Sequence, residues 1–206
     1  MLLVIGNKNY SSWSLRPWLA MKVHGMPFDE KRIHLYAQDS KAQILRYSPA
    51  GKVPVLHDAG TMVWDSLAIL EYLAEREPRL WPRDAAARAK ARALAAEMHS
   101  GFASLREHMS MNVRKRYPGK GRTPEVLAEI ERITAIWAEA KGPFLFGEFT
   151  AADAMYAPVV LRFRTYAVEG PNVRYMQAML ALPAMCEWIE AAEREPEAIP
   201  ELDLYG

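Results

Sequence analysis

Cys186 is the only cysteine in this 206-residue chain. No internal disulfide and no thiolate metal cluster can form from it. That fits a reducing compartment. The five histidines, His24, His34, His57, His99 and His108, show no ligand spacing, so no metal site is expected. Each reads as a surface or satisfied core residue. There is no His-Glu-x-x-His, no Gly-x-Ser-x-Gly and no Gly-rich nucleotide fingerprint. Lys120-Gly121-Arg122-Thr123 has the look of a phosphate loop, but no apolar strand precedes it. The net charge of +1 gives no bulk attraction to nucleic acid or an acidic membrane. No run approaches the ~20 apolar residues of a membrane span. The first apolar run is too short for a signal peptide and has no basic flank. The expected location is the cytoplasm.

What is present is an ordinary globular balance, 50% hydrophobic and 25% charged, with enough chain for a sizeable core. Leu2 to Ile5 reads as a buried strand. Leu15, Trp18, Leu19 and Val23 then mark one face of a helix, with Pro17 expected in its first turn and Gly25 closing it. Phe28 to Leu35 suggests a second strand carrying Ile33 and Leu35. Residues 37–48 suggest a short helix or an irregular excursion. Val55-Leu56 and Met62-Val63-Trp64 flank Asp58-Ala59-Gly60 as a hairpin. A helix with Leu67, Leu70 and Leu73 follows.

Beyond Glu77 the pattern becomes purely helical. Leu94, Met98, Phe102, Leu105 and Met109 trace one stripe, which predicts a single long helix from Ala85 to Met111. The basic loop from Arg114 to Arg122 reads as solvated, or as a feature that draws anions towards a cleft. Thr123-Pro124 starts another helix. Phe149-Thr150-Ala151-Ala152-Asp153 reads as a capping box ahead of a helix bent at Pro158. Further helices are expected at about 172–180 and from Pro183 through Trp188, where Cys186 reads as a buried, inert thiol. The tail beyond Pro196 reads as an extended arm. The organisation is a small α/β unit, a Pro-containing linker and an all-helical unit.

The chemistry-bearing stretch is Asn9-Tyr10-Ser11-Ser12-Trp13-Ser14-Leu15-Arg16, between the first strand and the first helix. Unpaired N–H groups and partial positive charge at a helix N-terminus favour an anion, and adjacent serines add O–H donors. A thiolate or carboxylate would be stabilised there. The serines also suit simple helix capping. Asp65-Ser66 repeats the arrangement at a second strand-to-helix junction.

Taken in order, these segments resemble the cytosolic glutathione S-transferases over essentially the whole chain. Ser11-Ser12-Trp13-Ser14-Leu15-Arg16 is similar to the Ser-Ser-Cys-x-x-Arg segment of the zeta class, the maleylacetoacetate isomerase-like branch. Gly51-Lys52-Val53-Pro54-Val55-Leu56 resembles the segment with the family's cis-proline. Asp65-Ser66-Leu67-Ala68-Ile69 resembles the segment that grips the γ-glutamyl end of glutathione. Thr150-Ala151-Ala152-Asp153 resembles the family's helix-capping motif.

The resemblance implies a thioredoxin-like α/β domain at 1–77, a linker at 78–86 and an all-helical domain at 87–206 that holds the acceptor. It implies glutathione as co-substrate, a small electrophile as its partner, and a homodimer. Ser11 matches the serine that hydrogen-bonds the glutathione sulfur, with Ser12 its neighbour and substitute. Val53 would pair its backbone with the cysteinyl unit across the cis bond to Pro54, Asp65 and Ser66 would hold the γ-glutamyl ammonium and carboxylate, and Lys52 would reach the glycyl carboxylate. Tyr10, Trp13, Met109, Tyr117 and Arg162 are the candidates for the acceptor side. Trp13 replaces the zeta cysteine. The arginine of the zeta helix that meets the substrate carboxylate falls at Thr165, near Arg162 and Arg164. Activity is therefore expected at the level of a glutathione transferase. The alternatives are a glutathione-dependent isomerase or dehalogenase, or a non-catalytic interaction protein of the same fold.

Overall fold

The computed structural model describes residues 1–170 and 173–206. Its first strand, β1 (Leu2–Ile5), is the continuously apolar run, and it lies second in a four-stranded sheet of order β2-β1-β3-β4. β2 (Asp29–Arg32) pairs parallel with β1 at one edge, while β3 (Val55–Asp58) and β4 (Thr61–Trp64) add antiparallel strands on the other side. Ala59 and Gly60 both have positive φ, the condition for a two-residue hairpin turn whose twist matches the flanking strands. The expected strand at 28–35 is thus shorter and more charged than its apolar end suggested. As an edge strand β2 needs only backbone pairing, so its Asp-Glu-Lys-Arg side chains stay near water and ion partners, with Glu30 2.8 Å from Lys8.

α1 (Ser12–Val23) is buried on nearly every side, because it lies between the sheet with α3 (Ser66–Ala74) and the helical unit's α7 (Ala151–Tyr166) and α9 (Pro183–Arg194). A single apolar face was the expectation, and the second packed layer is why the helix is apolar more widely. Pro17 falls in the second turn, not the first, so the ladder bond to the Trp13 carbonyl is missing. Interior proline costs ~3 kcal/mol. Leu15, Leu19 and Met21 are fully buried and contribute roughly 1.5–3 kcal/mol each, which is enough to hold the helix together. The excursion at 37–48 contains α2 (Ser40–Leu45).

The long helix expected from Ala85 to Met111 is two helices, α4 (Ala85–Ser100) and α5 (Ala103–His108). Gly101 is extended and Phe102 is left-handed at φ 58°, so the axis breaks between them. Leu94, Met98, Leu105 and Met109 are still buried, because the stripe serves the core on both sides of the break. The new helix start is capped from outside: Glu129 of α6 (Pro124–Ala138) accepts from the N–H groups of Ser104 (3.3 Å) and Leu105 (2.6 Å). No local sequence signal carries a cap supplied by another helix.

The capping segment before α7 is present, with the Thr150 N–H and hydroxyl both donating to Asp153 Oδ2 at 2.9 Å. Asp153 is fully buried and also accepts from the Leu145 N–H (2.9 Å) and the Tyr175 hydroxyl (3.2 Å), so it ties three segments together. α8 spans Val173–Leu180, and residue 172 of the expected helix lies outside the described residues. Cys186 is exposed, not buried, with its thiol directed at the Leu180 carbonyl (3.4 Å). The tail is not an extended arm either: Ile199 is buried and donates its N–H to Tyr10, and Pro200–Leu202 forms a 3-10 turn whose last carbonyl accepts from Ser110. Arg114 departs from the solvated-loop reading as well, because its guanidinium donates to the carbonyls of Glu195 and Glu197 in that tail. Among the described residues no helix is long and apolar enough to cross a membrane.

Candidate active site

The two strand-to-helix junctions identified above open on one cleft of about 800 Å³ between the α/β unit and the helical unit. Tyr10, Ser11, Ser12, Trp13, Lys52, Val53, Pro54, Asp65, Ser66 and Arg162, all singled out from the sequence, line it. Met109 and Tyr117 do not. Met109 is fully buried, and its carbonyl accepts from Arg162 Nε at 2.8 Å. Tyr117 packs against Tyr166 and Tyr205, with ring centroids 5.7 and 5.6 Å away. Met109 belongs to the helical stripe, which is core on both sides of the break at Gly101.

At the first junction the serines are not equivalent. Ser11 is the N-cap of α1; its hydroxyl donates to Ser14 Oγ (2.7 Å) and accepts the Ser14 N–H (3.4 Å). Ser14 Oγ in turn accepts the Gly6 N–H at 3.1 Å, so this pair knits the turn to the end of β1. Ser12 is the first helical residue, and its oxygen accepts from Arg162 Nη2 at 3.3 Å. Among the described residues the Ser12 O–H has no acceptor.

At the second junction Asp65 has φ 76° and ψ 134°, a conformation that costs a non-glycine residue roughly 1–3 kcal/mol. Its side chain offsets this by capping α3, with Oδ1 accepting from the N–H groups of Leu67 (2.9 Å) and Ala68 (3.3 Å). Oδ2 lies 3.2 Å from His99 Nε2 on α4. Ser66 begins α3 and is buried, and its hydroxyl accepts from Arg16 Nη1 at 3.3 Å. The Val53–Pro54 peptide bond between the junctions is cis.

The electrostatics are one-sided. Lys52, Arg106 and Arg162 line the cleft against one carboxylate, Asp65. Arg16 lies just beneath, 1% exposed, and its Nε has no hydrogen-bond partner among the described residues. Burial first, then the charges of Arg106 and Arg162, pushes the Arg16 guanidinium down to about 9. Burial and then Arg106 push Arg162 down to about 10. Trp13 is placed among these cations. Arg16 stacks over its ring at 4.2 Å and Arg106 at 5.2 Å, while His99 meets it edge-on at 5.3 Å. A negatively charged group in this space would relieve the crowded positive charge. Among the described residues no cluster of three or more His, Cys, Asp or Glu could hold a metal ion.

His99, Arg106, Ser110 and Leu202 are cleft residues that the sequence did not single out. Arg16 was visible only as the last residue of the serine segment. His99 and Arg106 sit on either side of the unexpected helix break, and Leu202 belongs to the tail that was read as an extended arm.

Family profiles agree with this architecture. One described as "Glutathione S-transferase, N-terminal domain" matches residues 10–76, and one described as "Glutathione S-transferase, C-terminal domain" matches residues 83–193. A probable maleylacetoacetate isomerase from Caenorhabditis elegans is 30% identical over 184 residues, covering 84% of this chain and 85% of that protein. A glutathione transferase homologue from Burkholderia, solved with bound glutathione, superposes with a TM-score of 0.72 at 22% identity, covering 94% of this chain and 98% of that one. The holo structure of a bacterial maleyl pyruvate isomerase of the zeta class superposes at 0.71 and 22% identity, covering 97% and 100%. The α/β unit is thioredoxin-like, the remainder is the helical partner domain, and the chain belongs to the glutathione S-transferase family.

Proposed function

We propose that this protein is a glutathione-dependent enzyme that presents the glutathione thiolate, stabilised by the Ser12 hydroxyl, to a small anionic electrophile. Glutathione would lie along the α/β unit. Its γ-glutamyl carboxylate meets Ser66 at the N-terminus of α3, its ammonium meets the Asp65 carboxylate beside His99, its cysteinyl backbone meets Val53 beside the cis peptide, and its glycyl carboxylate meets Lys52. The observation that carries the reading is the unequal pair of serines. Ser11 spends its proton on Ser14, whereas Ser12 points an uncommitted O–H into the cleft and takes a hydrogen bond from a buried guanidinium.

A free cysteine thiol has a pKa of about 8.5 and is mostly protonated at neutral pH. A hydrogen bond to a charged group is worth roughly 1.5–3 kcal/mol, and one pKa unit is about 1.36 kcal/mol. Ser12 alone can therefore lower the thiol by one to two units. The N-terminus of α1 and Arg162 act in the same direction. Arg106 and Arg162 would hold the acceptor's carboxylate on the helical side, taking the part that the zeta helix gives to the position of Thr165. Thr165 itself is turned away, donating to the carbonyls of Asn112 and Leu161.

A second reading is favoured by the cationic cleft together with the isomerase relatives. The thiolate adds to the double bond of an unsaturated carboxylic acid, the resulting single bond rotates, and elimination returns the thiolate and the isomerised acid. No glutathione is consumed. The deciding experiment follows glutathione and acceptor together in one reaction, using an aryl halide bearing a carboxylate and a cis-enedioate. Stoichiometric loss of glutathione supports transfer, and conversion at constant glutathione supports isomerisation. Neither reaction, with no retention on immobilised glutathione, would leave the non-catalytic alternative.

The reading includes a homodimer. Glu71 of α3, Glu75 at its end, Arg83 before α4 and Arg88 and Arg92 on α4 line one surface groove of about 790 Å³, with Glu71 paired to Arg92 at 2.9 Å within the chain. Acids and bases on one patch are self-complementary under a two-fold axis.

A further inference from the structure

The chain beyond α9 turns back across the loop that leads into the serine pair. Glu195 is buried, and its carboxylate accepts from the backbone N–H groups of Lys8 (2.7 Å) and Asn9 (3.1 Å). Arg32 at the sheet edge donates to Glu197 at 2.8 Å. The Ile199 N–H donates to the Tyr10 hydroxyl (3.1 Å), which donates to Asp203 Oδ1 (3.0 Å). Asn112 Nδ2 reaches the same carboxylate oxygen at 2.6 Å, and its Oδ1 accepts from Asn9 Nδ2 at 3.0 Å. The Leu202 carbonyl accepts from Ser110 Oγ at 2.8 Å.

These contacts have two consequences. Tyr10 is the residue before the serines, so the tail is bonded to the turn that presents Ser12. The tail also carries Leu202 into the wall of the same cleft, beside Ser110, Met111 and Arg162. Leu202 is partly exposed there, an apolar residue tied through its carbonyl to Ser110 of the helical unit. Asp203 accepts from both Tyr10 and Asn112, so one side chain fixes the wall to both the turn and the helical unit.

We propose that residues 199–203 wall the acceptor half of the cleft, with Leu202 limiting the size of the group carried on the glutathione sulfur and Asp203 acting as the positioning residue that holds the wall in place. This rests on the glutathione reading above. A wall of this kind contributes nothing to the peptide part of glutathione. It acts only on what extends beyond the sulfur, and it acts through shape.

The test uses the full chain and three probes, glutathione, S-methylglutathione and S-hexylglutathione, with affinities measured by titration calorimetry. Leu202→Trp should leave glutathione affinity within twofold and weaken S-hexylglutathione at least tenfold relative to S-methylglutathione. Leu202→Ala should move that preference the other way. Asp203→Ala should erase the discrimination between the two thioethers, and Asp203→Asn, which keeps an acceptor oxygen for Tyr10 and Asn112, should restore it. Melting temperatures of the four variants identify any that fail to fold. A ratio of S-hexyl to S-methyl affinity unchanged within twofold in folded Leu202→Trp would overturn the proposal. If Asp203→Ala lowers the melting temperature and leaves that ratio intact, Asp203 is structural and its positioning role falls. Wild-type protein that binds none of the three probes would overturn the glutathione reading first, and this inference with it.

Discussion

Replacing Ser12 by alanine is the sharpest perturbation of the proposed chemistry. It removes one oxygen from the mouth of α1 and leaves the N-cap, Ser11, with its bonds to Ser14 intact. The fold should tolerate it, because Ser12 caps nothing and Arg162 keeps its bond to the Met109 carbonyl. The loss falls on the sulfur. One hydrogen bond to a thiolate is worth roughly 1.5–3 kcal/mol, so the thiol pKa of bound glutathione should rise by one to two units. Turnover near neutral pH should fall about ten- to hundred-fold and recover as the pH is raised past the new pKa. Ser11→Ala should do the opposite. It should cost about 0.5–2 kcal/mol of stability by removing a helix cap and leave the thiol pKa in place. The assay is the ultraviolet absorbance of the thiolate in the enzyme–glutathione complex, titrated against pH for wild type and both variants, with melting curves alongside. A shift in Ser11→Ala with none in Ser12→Ala would refute the assignment drawn from the hydrogen bonds and return the role to Ser11, the residue the family resemblance favours. No shift in either would leave the helix N-terminus and the cations of the cleft to stabilise the thiolate.

Ser66→Ala should weaken glutathione by roughly 1.5–3 kcal/mol in calorimetry, since it removes a charge-assisted bond to the γ-glutamyl carboxylate, and unchanged affinity would take Ser66 out of the site. Asp153 offers a pH signature: burial pushes its carboxyl from 3.8 up to about 6, so its contribution to stability is greatest below pH 4 and is lost as the pH rises through about 6. The melting-temperature gap between wild type and Asp153→Asn should therefore narrow over that window, and a widening gap would mean that its four donors keep the carboxylate ionised. Sedimentation at micromolar concentration should give a dimer that is weakened by Arg88→Glu, and a monomer in wild type would remove the α3–α4 face as the contact.

The parts of this protein that were legible in sequence are those whose cause is local. A run of four apolar residues, an Ala-Gly turn between strands, a Thr-x-x-Asp cap and a serine pair ahead of a helix each carry their physics within a few positions, and each has its place in the fold. What was missed is what a distant residue supplies. The periodicity from Ala85 to Met111 is genuine, yet the stripe continues through a break because Glu129, on another helix, provides the cap that lets a second helix begin. Cys186 sits among apolar neighbours in sequence but on the solvent side of α9. The tail has no periodicity, so nothing in it announces that Tyr10 and Asn112 wait to bind Asp203. The same division runs through the site. The motif placed two serines at the mouth of α1, but which of them is free to act depends on Ser14 and on Arg162, 150 positions away. In this cleft identity is written locally and reactivity is set by the far side. Substitutions in the helical unit should therefore tune the chemistry more readily than they disturb the hold on glutathione.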